Sequence, residues 1–506
     1  MRRPLRAGLG VDIGGALNLV GLLLRYLSLA FLFPAGIAVG YGEPTWPFLA
    51  AGAITASTGW ALEFLTAGRE RIGPREGFLV VALTWLFAGA AGAIPYLLVD
   101  EPQLASPMNA FFESMSGFTT TGSSVLVDIE GLSHSVAMWR QLTQWLGGMG
   151  IIVLALAVLP RLRVGGRQLL ESELGLELEP LTDSIRGTAR KLWGVYGALT
   201  GAMVAVLTIL GLSGADPSMG FYEAVAHAFT ALPTGGFSTQ ADSIAAFGVA
   251  TQWVVVVFMI LGAVNFALLY RAFVRLSVRP FGRDQELRMY LGVLALACLA
   301  LLAEIIRTGI YAGEEAVRHA VFQATTIMTT TGFASADFNT WTAAAPLAAL
   351  VLLALMFSGG SAGSTSGSIK VVRHLLIARI LRRELDQTLH PELVAPVRLN
   401  AQTVDERTVR AVIGFVLLYI GIFAAGSILL VVESTRAGVP VTPFEGMAAA
   451  ATTLGNIGPA FGFAGPFGSF EPFSNLSKGV LIALMWVGRL ELIPVAVLFT
   501  RAYWRA

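Results

Sequence analysis

Charge is what this sequence has least of. Asp, Glu, Lys and Arg together make up 13% of its 506 residues, about half the share in ordinary soluble domains. Cysteine is nearly absent: Cys298 stands alone, which excludes an intramolecular disulfide and any site of clustered thiolates. The five histidines, His134, His227, His319, His374 and His390, are scattered with no metal-ligand spacing. Neither HExxH nor GxxxxGK[ST] occurs, so no metalloprotease or phosphate-loop signature is present. The reading is that the chain is not an enzyme, holds no cofactor and binds no nucleic acid.

Apolar sequence is what the chain has in excess. Hydrophobic residues make up 55% of it and the mean hydropathy is +0.69, more than a soluble core could hide. The basic residues gather at 2–6, 69–75, 161–191, 271–288, 370–410 and 501–505, which hold 27 of the 34 Lys and Arg. Residues 99–138 and 214–250 contain none. The positive-inside rule puts both termini and every cluster in the cytoplasm. The start, MRRPLR before an apolar run, resembles a signal peptide but lacks a small-residue cleavage site, so 12–40 reads as a permanent span.

A crossing of the hydrocarbon needs about 20 residues. Ten runs qualify: 12–40, 46–64, 76–98, 136–160, 188–213, 247–275, 286–311, 342–380, 406–432 and 474–501. Four outer apolar segments, 106–118, 218–232, 314–328 and 442–455, are too short and suit helices that dip in and return. Each runs into a Thr/Gly-rich stretch: SMSGFTTTGSS, AFTALPTGGFST, TIMTTTGFAS and ATTLGNIGPAF. Aligned on Gly122, Gly236, Gly332 and Gly458, they reveal an internal repeat at intervals of 114, 96 and 126 residues. A polar residue stands thirteen positions before each glycine (Asn109, Glu223, His319, Glu445), where helix capping is one reading. Another glycine follows each at 25–30 residues (Gly147, Gly262, Gly359, Gly488).

The expected fold is all-α: ten transmembrane helices plus four re-entrant pore helices, in pseudo-symmetric span–helix–span repeats around one ion pore. The divisions are 1–75 for the leading pair, then 76–170, 186–284, 285–383 and 404–506. Glycine lets successive carbonyls point one way, and four such turns around an axis offer a ring of oxygen ligands to a dehydrated cation. The short helices aim their partially negative C-termini at that axis, which favours cations over anions. Asp100, Glu101, Glu113, Asp128 and Glu130 give the outer mouth a negative sign.

Residues 358–368 interrupt the 342–380 run with four glycines and five serines, a composition that no lipid-facing helix keeps. Arg489 is a charge in the last run, so it should face a cavity or a partner. Glu491, two residues on, is poorly placed to pair with it, and the loop's carbonyls and hydroxyls are alternatives. Lys370 and Arg373 read as the cytoplasmic boundary.

The segments TTTGSS at 119–124, WLGGMGIIVLALAVLP at 145–160, PTGGFST at 233–239 and TTTGFAS at 329–335 resemble the superfamily of potassium transporters that includes the TrkH, KtrB and plant HKT proteins. So do FSGGSAGSTSGSIKVVR at 357–373, GNIGP at 455–459 and GRLELIPV at 488–495, with TrkH the nearest branch. The resemblance implies a channel-like potassium uptake subunit of the bacterial inner membrane, working as a homodimer. It implies a cytosolic TrkA-type nucleotide-binding regulatory partner, and marks the leading two spans as the extra pair of that branch. It carries over a selectivity filter of Thr120, Thr121 and Gly122; Thr234, Gly235 and Gly236; Thr330, Thr331 and Gly332; and Asn456, Ile457 and Gly458, with Gly455 the alternative fourth glycine. It also carries over an intramembrane gate at Gly359, Gly360, Gly363, Ser364, Thr365 and Gly367, and a pore arginine at Arg489. The alternative is a secondary transporter that couples potassium to protons or sodium through a closed midplane site.

Overall fold

The computed structural model describes residues 11–68, 73–158, 185–277, 279–393, 395–400 and 402–505. The basic residues at 2–6, Arg69, Arg71 and 161–167 lie outside the described residues. Helices dominate: α1 (Ile13–Tyr41), α2 (Trp46–Leu65) and α3 (Pro74–Leu98), then α4 (Pro107–Phe118), α5 (His134–Val158) and α6 (Ile185–Leu212). There follow α7 (Phe221–Ala231), α8 (Val249–Gly262), α9 (Phe266–Arg275), α10 (Gln285–Thr308) and α11 (Gly313–Met328). The chain continues through α12 (Pro346–Leu355), α13 (Val371–Leu389), α14 (Glu406–Ala437) and α15 (Pro443–Gly455) to α16 (Asn475–Arg489) and α17 (Ile493–Leu498), before a last short turn of helix at Arg501–Trp504. The sheet among the described residues is one antiparallel pairing of Arg398–Leu399 with Gln402–Thr403.

Among the described residues six helices are long and apolar enough to cross a membrane unbroken: 13–41, 46–65, 75–98, 187–212, 285–308 and 406–437. They are the leading pair and the first span of each repeat. Three of them, α1, α10 and α14, end where a turn takes positive φ, at Gly42, Gly309 and Gly438. Pro34 lacks the N–H that a helix would send back one turn, and α1 tightens to a 3-10 turn over Leu29–Phe31 just before it. The leading helices α1 and α2 cross at two glycines, where a Cβ on Gly21 would lie 2.6 Å from the Gly59 carbonyl oxygen.

Two of the second spans, 247–275 and 474–501, differ from the expected single crossings, and 342–380 is interrupted at 358–368 as expected. The 247–275 run is α8 and α9, bent by 101° at Ala263–Asn265. The 342–380 run is α12 and α13, separated by the glycine–serine loop, and the 474–501 run breaks at Leu490–Leu492. The first repeat's α5 is continuous but carries Arg140, Gln141 and Gln144 fully buried. The polar residues Arg140, Gln141, Gln144, Asn265 and Arg489 of these spans are packed inside the protein, which is why they are tolerated at membrane depth.

Three of the repeat glycines explain the close packing. A Cβ at Gly147, Gly262 or Gly488 would meet the carbonyl oxygen of Phe118, Leu232 or Leu454, the residue four before each aligned glycine. Gly359 departs from the set, because its missing Cβ faces Gly367 within the third repeat's own loop.

Candidate functional site

The four short helices α4, α7, α11 and α15 each end in the same turn. The amide of Thr121, Gly235, Thr331 and Ile457 donates to the carbonyl five residues back (Ser116, Thr230, Thr326, Thr452) at 2.8–2.9 Å. The preceding residue donates in every repeat to the carbonyl three back. Thr120, Thr234, Thr330 and Asn456 take φ of 51°, 54°, 58° and 53°. Gly122, Gly236, Gly332 and Gly458 take 82°, 77°, 84° and 117°, while the residue between keeps a negative φ. Alternation of left- and right-handed residues turns successive carbonyls to one side. Gly455, the alternative fourth glycine, is the last residue of α15, and Gly458 holds the equivalent turn position.

The four turns abut one another in a closed cycle. A Cβ on Gly122 would run into the Gly235 carbonyl oxygen, one on Gly236 into that of Thr331, and one on Gly332 into that of Ile457. Gly458 closes the ring, 2.9 Å from its missing Cβ to the Thr121 oxygen. All four glycines also line one cavity of about 60 Å³, with Ser123, Ser124 and Ser238. Among the described residues no donor meets the carbonyls of Thr121, Thr331 and Ile457; Gln144 Nε2 donates to that of Gly235 at 2.7 Å. Buried carbonyls without donors are costly, so this ring suits an oxygen-seeking occupant.

Side chains brace the ring from behind. Thr119 and Thr329 pair hydroxyls with Thr121 and Thr331 at 2.7 Å, and Asn456 Nδ2 donates to Thr121 Oγ1 at 2.9 Å. Arg140 Nε meets Glu113 Oε1 at 2.8 Å, both side chains essentially unexposed, and Nη1 reaches the Ser238 carbonyl at 3.2 Å. Glu113 is therefore a buried brace and not a charge of the outer mouth. Of the polar residues thirteen before each glycine, Glu445 caps its helix with Thr442, as expected. Asn109 instead bonds the Gln103 carbonyl and Lys478, and His319 bonds Ser335 Oγ at 2.9 Å.

The 358–368 loop is packed directly beneath two of the turns. Thr365 Oγ1 lies 3.4 Å from Thr234 Oγ1, and Ser366 Oγ lies 3.3 Å from Thr330 Oγ1. Gly367 N donates to Thr330 Oγ1 at 2.7 Å, and a Cβ at Gly367 would strike the Gly455 carbonyl. Gly360 sits against Ala263, the Gly363 carbonyl accepts from Phe266 N at 3.1 Å, and Ser364 Oγ donates to Ser361 O at 2.6 Å. Residues 359–363 also spell Gly-x-Ser-x-Gly, the pattern of a nucleophile elbow. Ser361 Oγ has no hydrogen-bond partner, so no base activates it and the pattern is coincidental.

Arg489 is buried and donates to two carbonyls, Thr365 O at 2.8 Å and Gly147 O at 3.2 Å. Among the described residues no carboxylate pairs with it, and Glu491 pairs with Arg373 at 2.6 Å. Lys370 and Arg373 are buried under the loop, not at a solvated boundary: Lys370 Nζ bonds the Ser366 carbonyl, and Arg373 lies over Phe415 at 3.7 Å. Glu286, which the sequence did not single out, accepts from Ala362 N at 2.5 Å and ties the loop to α10. No cluster of His, Cys, Asp or Glu fit for a metal occurs among the described residues.

These features define an all-α integral membrane protein of the transporter class, with four re-entrant segments meeting at one cavity. The TrkH family profile, described as "Cation transport protein", matches residues 46–505, and the chain belongs to that family. It is 36% identical over 496 residues to the Trk system potassium uptake protein TrkH of Halomonas elongata, covering 97% of this chain and 98% of the relative. The TrkH of Escherichia coli K12 is 34% identical over 497 residues, covering 96% and 98%. The crystal structure of the potassium transporter TrkH from Vibrio parahaemolyticus superimposes with a TM-score of 0.86 at 32% identity, covering 98% of this chain and all of that one.

Proposed function

We propose that this chain conducts potassium ions into a bacterial cell through the axis of the four-turn ring, with the 358–368 loop as its closed gate. The observation that carries the reading is the closed cycle of the Thr121, Gly235, Thr331 and Ile457 carbonyls around glycines that leave no room for a Cβ. Such carbonyls replace the hydration shell of a monovalent cation. The four helix C-termini behind them add negative potential. Potassium as the substrate draws on the relatives, which are named as potassium uptake proteins at 34–36% identity.

In this reading the loop closes the path below the ring by occupying the hydroxyls of Thr234 and Thr330. Arg489 adds a fixed positive charge there, and opening moves both aside. The rest of the basic stretch, 379–410, faces the cytoplasm with both termini and docks a TrkA-type nucleotide-binding ring, while two copies of the chain form a homodimer. The test is flux into liposomes under a potassium gradient, with rubidium and sodium compared. Potassium entry far above carrier turnover is expected. Entry no faster than into empty vesicles, at verified incorporation, would sink the proposal.

A further inference from the structure

Gly235 is the one glycine at the middle position of the four turns; its counterparts are Thr121, Thr331 and Ile457. Backbone conformation does not demand it, because Gly235 does not share the positive φ of its neighbours Thr234 and Gly236. Space does. A Cβ at Gly235 would fall on the Gln144 carboxamide, which is held there from α5, 91 residues away. Gln144 is fully buried and uses both ends of its amide on this one turn. Nε2 donates to the Gly235 carbonyl at 2.7 Å, and Oε1 accepts from Phe237 N at 3.1 Å. An amide N–H can only donate and its oxygen only accept, so these two partners fix which way the group points.

We infer that Gln144 is a selectivity-setting residue: it clamps the second filter turn from behind and stands in for the side chain that Gly235 lacks. The inference rests on the reading of the ring as the ion filter and goes beyond it. In the first and third turns, Thr121 and Thr331 brace themselves on Thr119 and Thr329. The second turn has Pro233 in that place and no hydroxyl to offer. Gln144 bridges Gly236 on both sides and holds fixed the carbonyl that also abuts Gly122. A filter tells potassium from sodium only while its oxygens resist closing on the smaller ion, through fixed spacing or through the number of dipoles present. Releasing this carbonyl therefore degrades discrimination before it stops conduction. The positioning also makes one filter oxygen unlike its three counterparts, because it already accepts a hydrogen bond.

The experiment compares four variants reconstituted in liposomes, each matched for monodispersity and incorporation, by potassium and sodium flux. Gln144→Glu keeps the acceptor for Phe237 N and, as a carboxylate, loses the donor to Gly235 O. It should lower the potassium/sodium flux ratio about fivefold, the worth of one ordinary hydrogen bond. Gly235→Ala should lower uptake severely by clash, and Gly235→Ala with Gln144→Ala should recover much of it by clearing the clash. An unchanged flux ratio in Gln144→Glu, or a double variant no better than Gly235→Ala, overturns the inference. Gly332→Ser is the arm for the filter itself. If that variant keeps the wild-type ratio, the filter reading fails. If it alone shifts the ratio, the filter stands and the role of Gln144 is rejected.

Discussion

The Arg489 guanidinium donates to the Thr365 carbonyl, joining the last span to the middle of the glycine–serine loop at 2.8 Å. Its other partner is the Gly147 carbonyl in the first repeat, so one side chain ties three repeats together below the ring. A carbonyl satisfies a hydrogen-bond donor but does not cancel its charge. On the proposed pore reading, the positive charge therefore stays effective against a passing cation. Arg489→Ala removes the charge and the loop's anchor together. Potassium flux in liposomes should rise, by about tenfold if the lost barrier is of the order of 1.4 kcal/mol. Deleting 361–366 should raise it by removing the plug. Flux unchanged or lower in both variants, at normal insertion, returns these residues to mere helix packing.

The ring glycines make the sharpest steric prediction. Gly332→Asp or Gly122→Asp sets a side chain against the carbonyl of the next repeat at a φ above 80°. Uptake should vanish while the protein still reaches the membrane. Gly458→Ser should alter the ion preference, because Gly458 occupies the turn position and Gly455 does not. Potassium uptake at wild-type rate by a properly inserted Gly332→Asp protein would refute the filter assignment.

The first spans, the short helices and the turns were legible in the sequence because lipid forces each into a local signal. An uninterrupted apolar run, a run too short to cross and a repeated glycine all survive without knowledge of the partner. The break at 358–368 was legible from its glycines and serines, but the breaks in the second and fourth repeats were not. Hydropathy averages across Ala263–Asn265 and Leu490–Leu492, where only a few residues leave the helix. Pairings distant along the chain were also hidden. Glu113 read as a mouth charge because Arg140 lies 27 residues away. Gln144 and Glu286 gave no signal because their partners are backbone groups 91 and 76 residues distant.

Glu113 and Arg140 form a buried pair that also holds Val125 N at 3.0 Å and Ser124 Oγ at 3.0 Å. Removing one partner strands the other charge. Glu113→Ala should cost ~3–5 kcal/mol of stability, seen as a large fall in thermal midpoint in detergent. Replacing both residues together should cost less than Glu113→Ala alone. A double variant that is worse than the single one would show that the hydrogen bonds, and not the stranded charge, set the cost.

The positive-inside pattern makes a topology prediction that exposed positions can read. Val127 and Leu276 are both well exposed, one in the loop before α5 and the other after α9. In a Cys298→Ser background, a cysteine at 127 should react with a membrane-impermeant thiol reagent from outside whole cells. A cysteine at 276 should react only after permeabilisation. The opposite pattern inverts the chain in the membrane.

Two loop carboxylates should make stability fall in acid. Asp216, between α6 and α7, accepts from Gly248 N at 2.7 Å and from the hydroxyls of Ser218 and Thr251 at 2.5 Å. Glu43, between α1 and α2, accepts from His134 N at 2.7 Å and Ser135 N at 2.8 Å. Burial acts to raise both pKa values, but hydrogen bonds from Ser218, Thr251 and Gly248, and from Ser135 and His134, outweigh it and hold both carboxyls below their ordinary range. A group whose pKa is lower folded than unfolded stabilises the fold above its unfolded pKa. It loses that contribution as pH falls through the folded one. The window therefore opens near pH 4 and extends below it. The thermal midpoint of the purified protein should be level from pH 7 to about 5 and fall below about 4. Asp216→Asn with Glu43→Gln should lower the midpoint at pH 7, because an amide accepts these bonds more weakly, and should flatten the acid fall. Equal losses between pH 7 and pH 3.5 in the wild type and the double variant would assign the acid sensitivity to other groups.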